Sequence, residues 1–238
     1  MSSFPPPTGG FTPASGGVGP PTAQPIDQLR TAYQRRHDTD YIFSYWSALG
    51  WTILTFGIFS YYVYYQLVRR MRDHNIRRLE LLEAARSYAW QLAGDQGLQD
   101  ELRPNFERAA SHEEVMRQMT RDFRDPFIWL LLIWFTGVAG IILFVLLDGD
   151  LIKHDTAEGG VESELAIIFA RLGRPIPQPD PARIKGKHSY VARVIVLIVT
   201  FGIYGFWWWY NMLQEPNEHF ETNWVWEDAL AHAAQQPA

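Results

Sequence analysis

The chain has 238 residues, 47% of them hydrophobic, with a formal net charge of -5 and a mean hydropathy of -0.17. No basic stretch is interleaved with aromatics, which argues against a nucleic-acid surface. Cysteine is absent, and that excludes disulfides, thiolate metal sites and cysteine nucleophiles.

Residues 1 to 26 hold seven Pro, five Gly and no charged residue. Such a segment buries too little apolar surface to offset its ordering entropy, so residues 1–40 are expected to be a disordered tail followed by a short basic segment. Three charge-free windows come next, Tyr41 to Val68, Phe127 to Leu147 and Val194 to Gln214, of 28, 21 and 21 residues. A helix rising 1.5 Å per residue needs about 20 residues to cross about 30 Å of hydrocarbon. In the middle window, 15 of 21 residues are Leu, Ile, Phe or Val. These features predict transmembrane helices over 41–68, 127–147 and 189–214, hence an all-α, multi-pass integral membrane protein, placed in a bacterial plasma membrane.

Residues 69–126 read as a polar helical hairpin. Its first helix carries Ile76, Leu79, Leu82, Ala85, Ala89 and Leu92 on one stripe and ends between Gly94 and Gly97; the second starts at Ser111, which has capping-box spacing to Glu114. Eleven Arg balance eleven Asp or Glu there, a solvated helical surface. Residues 148–188 read as a loop with a short helix near 161–172, stopped by Gly173. The acidic tail 215–238, with Phe220, Trp224 and Trp226, reads as an amphipathic helix.

A repeat runs through the windows. Thr55-Phe56-Gly57-Ile58-Phe59 recurs as Thr200-Phe201-Gly202-Ile203-Tyr204, and aromatic runs follow: Tyr61, Tyr62, Tyr64, Tyr65 and Trp207, Trp208, Trp209, Tyr210. Thr136-Gly137-Val138 is a looser third copy. Small residues stand three positions after each glycine (Ser60, Gly140, Gly205), and His74, His154 and His219 stand seventeen after.

Through Thr55 to Tyr65 and Thr200 to Tyr210 the chain resembles a family of small, mostly bacterial membrane proteins with repeated Thr-X-Gly-Ile-Tyr motifs, classed as a domain of unknown function. The resemblance implies membrane placement and supplies no activity.

Thr55, Gly57, Ser60, Gly137, Gly140, Thr200, Gly202 and Gly205 are expected to form helix-packing surfaces, and the aromatic runs to lie at the headgroup level. Imidazoles invite a metal. Successive single spans, however, would put His74 and His219 on one membrane face and His154 on the other, leaving only a two-histidine site and favouring no metal or other cofactor. No catalytic constellation is visible, so no enzyme is expected. The sequence points to a structural or interaction component of a membrane assembly, or alternatively a lipid or small-ligand binder using the aromatic repeats. Its expected partners are the lipid bilayer and other membrane proteins or further copies of itself, and no nucleic acid.

Overall fold

Each charge-free window is interrupted at its glycine. The computed structural model describes residues 24–180 and 188–236, and the described residues form nine helices. Two short helices, α1 (Pro25–Gln34) and α2 (Arg36–Thr39), lead into the first window. There α3 (Tyr45–Leu54) ends, the chain turns, and α4 (Ile58–Asp95) begins. After α5 (Gln99–Arg121), the second window divides into α6 (Pro126–Thr136) and α7 (Ala139–Arg171), and the third into α8 (Tyr190–Val199) and α9 (Tyr204–Gln235).

Two residues make the turn. Gly57, Gly137 and Gly202 have φ of 90°, 67° and 89°, left-handed backbone that glycine adopts without a Cβ penalty. The threonine hydroxyl then closes both helix ends. Thr55 Oγ1 donates to the Trp51 carbonyl at 2.7 Å and accepts from the Phe59 N–H at 2.9 Å. Thr200 does the same with Val196 and Tyr204, at 2.8 and 3.1 Å. Thr136 does so with Leu132 and Ala139, at 2.7 and 3.2 Å. One side chain thus accepts from an orphan amide of the second helix while adding a second donor to a carbonyl of the first that already accepts the threonine N–H.

The turns reverse the chain. Arg70, Asp150 and Glu215 each stand thirteen residues after their glycine, and each meets the incoming limb of its own hairpin. Arg70 donates to the Tyr41 carbonyl at 3.2 Å, Asp150 pairs with Arg124, and Glu215 lies 4.0 Å from His188. Among the described residues no helix is long and apolar enough to cross a membrane. That overturns the expected transmembrane helices over 41–68, 127–147 and 189–214, and with them the multi-pass fold and the plasma-membrane placement. A charge-free window measures the summed length of two limbs, and here the limbs lie side by side.

Other expectations shift with it. The helix expected from Ser111 begins at Gln99, and Ser111 sits mid-helix, donating to the Arg108 carbonyl at 2.7 Å. The segment read as a loop at 148–160 belongs to α7, and residues 215–235 continue α9 with Phe220 and Trp226 buried. The Pro/Gly-rich tail lies, through residue 23, outside the described residues; Pro25 opens α1.

Two apolar cores result. Val63, Leu67, Leu143, Leu147, Trp208 and Leu213 fill the hairpin end; Leu82, Ala85, Val161, Leu165, Phe169 and Leu230 fill the other. Between them lies a buried polar layer. Its edge shows how backbone groups are satisfied: Pro216 inside α9 has no N–H for the Met212 carbonyl, and Arg70 donates to the Met212 and Leu213 carbonyls, both at 3.0 Å.

Candidate metal centre

Because all three hairpins leave from one end of the molecule, positions seventeen residues after their glycines fall at one level on α4, α7 and α9. His74, His154 and His219 therefore meet. Their ring centres are 5.4, 5.2 and 5.7 Å apart. Glu158, one turn after His154 on α7, completes a buried group whose ligand atoms all lie within 4.8 Å of one another.

The spacing suits a shared ion. With metal–nitrogen bonds of about 2.0–2.1 Å, tetrahedral imidazoles place their ring centres about 5.2 Å apart. Drawing the donors in from 4.8 Å needs movements of under about 1 Å each.

Polar neighbours orient His74 and His219. His74 Nδ1 is 2.9 Å from Asp40 Oδ1, so its proton belongs on Nδ1 and the lone pair on Nε2. Asp40 also accepts from Arg77 and Trp224, at 2.7 and 2.8 Å. His74 stacks on Phe220 with ring centres 4.3 Å apart. Its Nε2 and both nitrogens of His154 have no hydrogen-bond partner although both residues are buried. His219 presents Nδ1 to Asp155 at 3.4 Å and Nε2 to Glu158 at 3.5 Å, and Asn223 Nδ2 lies 3.1 Å from the same Nε2. Glu158 is held by Arg78 and by Asn223 at 3.1 Å. Arg78 also binds Glu162 and Glu227.

Burial keeps His74 and His154 neutral. Burial pulls His74 down to about 4, against the opposing pull of Asp40, and burial likewise puts His154 well below its ordinary value. For Asp40, burial alone would raise the carboxyl, but His74 and Arg77 hold it well below the usual range. Neutral nitrogens with free lone pairs are what a cation binds.

No known family model matches the chain. Neither the curated proteins nor the solved structures give a match. The reading of the centre therefore rests on its own geometry.

The centre has a route to the outside. A cavity of about 220 Å³ reaches it at His219 and Asp155 and is lined further by Asp148, His188, Glu215 and Glu218. Asp148, His188 and Glu215 form a second close group, but Asp148 already accepts from Tyr190 at 2.6 Å and meets His188 Nδ1 at 2.9 Å.

The motif residues divide. Gly57 and Gly202 serve backbone conformation instead of close packing, because a Cβ on either would meet nothing within 4 Å. Gly140 and Gly205 do pack closely, against Tyr64 and Leu197, both at 3.2 Å from a Cβ position. Ser60 donates to the Gly57 carbonyl at 2.6 Å. Trp208 and Trp209 are buried in the hairpin core; Tyr62, Trp207 and Tyr210 are exposed, with Tyr61, Tyr64 and Tyr65 between. Sequence reasoning separated His154 from its partners and missed Asp40, Glu158 and Asn223. The shared register of the three histidines was the signal that could have found the site.

Proposed function

We propose that this chain is a metal-binding protein in which each hairpin contributes one histidine to a single divalent transition-metal site, with Glu158 as the fourth ligand. The observation that carries the reading is the convergence of His74, His154 and His219 at 5.2–5.7 Å. Imidazole and carboxylate donors suit Zn²⁺, Fe²⁺ and their neighbours. Asp40 behind His74 matches the carboxylate partner that orients metal-bound histidines. The acidic cavity draws cations inward, and its opening at His219 leaves a side from which water reaches the site.

The test is metal analysis of purified full-length protein, followed by Zn²⁺ titration after chelation. One equivalent per chain is expected. His154→Gln and His219→Gln should each weaken affinity by more than the tenfold to hundredfold that loss of an orienting partner causes, whereas His232→Gln should change nothing. Retention of the metal by both variants, or no saturable binding in the parent, would overturn the proposal.

A further inference from the structure

The three hairpin turns carry large apolar side chains that touch almost nothing. Phe56, Phe135 and Phe201 are 98%, 80% and 97% exposed, flanked by exposed Ile58, Val138 and Ile203. The turns sit together, since Gly57, Gly137 and Gly202 line one largely apolar cavity of about 590 Å³. An apolar patch of this kind marks a docking surface.

We infer that this end of the molecule inserts into one leaflet of a lipid bilayer, without crossing it. Three observations choose lipid over another protein. The first is hydrogen bonding: at the tips the threonine hydroxyls accept from first-turn amides of the second helices that have no backbone partner. Water would serve those groups at an exposed turn, whereas hydrocarbon offers them nothing. The second is length. Helices α3, α6 and α8 have 10, 11 and 10 residues, about 15–17 Å each, which matches half of a hydrocarbon core of about 30 Å. The third is charge. Below the apolar limbs comes the ring of Arg70, Asp150 and Glu215 with their partners, and Arg69 and Lys153 are exposed near that level, where lipid phosphates would lie.

This inference stands apart from the metal site, and its test reads neither metal nor activity. Full-length protein is floated with phosphatidylcholine–phosphatidylglycerol vesicles. The parent should float, and Phe56→Asp with Phe201→Asp should reduce binding about tenfold or more while far-UV circular dichroism and the aqueous melting curve are kept. Because the chain has no cysteine, Phe135→Cys can carry an environment-sensitive dye, which should report hydrocarbon. Cysteines introduced singly at Glu107 and Ala170, both exposed and separated by a single window, should react equally with an impermeant maleimide added outside. A parent that stays in solution, tip variants that float equally, a dye that remains in water, or burial of the tips against a second copy would each overturn the inference. So would protection of one cysteine but not the other, since that means crossing.

Discussion

At the scale of single residues, the centre turns on who holds the histidine proton. Asp40 receives His74, Arg77, Trp224 and the Thr39 hydroxyl, four donors on two oxygens. Asp40→Asn keeps the size but leaves one carbonyl oxygen to accept and places an amide N–H₂ against a buried donor. Removing the charge from a buried, paired group costs on the order of 3 kcal/mol, and loss of the orienting carboxylate should weaken metal binding about tenfold to a hundredfold. Urea denaturation of the metal-free protein reads the first effect and Zn²⁺ titration the second. Asp40→Asn with unchanged affinity would show that His74 does not ligate through Nε2. None of this was legible in the sequence. Asp40 lies 34 residues before His74 and 184 before Trp224, and no local periodicity links positions brought together only by the fold.

At the scale of elements, the Thr-X-Gly turn explains what the sequence showed and what it concealed. The middle residue carries strain, for Phe56 and Phe201 have φ of 51° and 48°, costing roughly 1–2 kcal/mol each for a side chain with a Cβ. Phe56→Gly should therefore stabilise the protein in water by about 1 kcal/mol, while Gly57→Ala at φ 90° should destabilise it by about 1 kcal/mol or more. Chemical denaturation of the two variants separates them; a loss of stability in Phe56→Gly would show that its exposed ring contributes packing. The repeat, the register of the three histidines and the helical character of the windows were all legible. The reversal was not, because hydrophobicity averaged over 28 residues reads the same for one straight helix as for two folded limbs. With straight windows, alternating direction sends His154 to the side opposite His74 and His219. A glycine and a hydrogen-bonding threonine in mid-window were the local signs of a break, and both also fit a helix-packing surface.

At the scale of the whole molecule, the three repeats put a buried polar layer between two apolar cores, and that layer makes stability depend on pH. His74 faces Arg77 from its own helix, Asp40 from the segment after α2, His154 with Glu158 from α7 and His219 from α9. Burial lowers His74 from an ordinary 6.5 to about 4 and His154 well below its ordinary value. Between pH 6.5 and about 4 the unfolded chain consequently binds protons there that the folded chain refuses. Their contribution is complete above pH 6.5 and is lost as pH falls towards 4, on the order of 3 kcal/mol for His74 alone. Asp40, held low by His74 and Arg77 against the effect of burial, adds a further loss below the ordinary carboxylate range. Burial raises Glu227 and Glu113, which works the other way. Metal sharpens the dependence: a bound cation stabilises the folded state by mass action, and protons displace it from imidazole. Urea midpoints of the metal-free protein should fall steadily from pH 7.5 to 4.5, with Zn²⁺ raising the midpoint at pH 7.5 and losing its effect by about pH 5. In His74→Gln the metal-free slope should be shallower. A parent profile flat across this interval, or a variant as steep as the parent, would mean that the histidines are hydrated in the folded protein and that the polar layer is open to solvent.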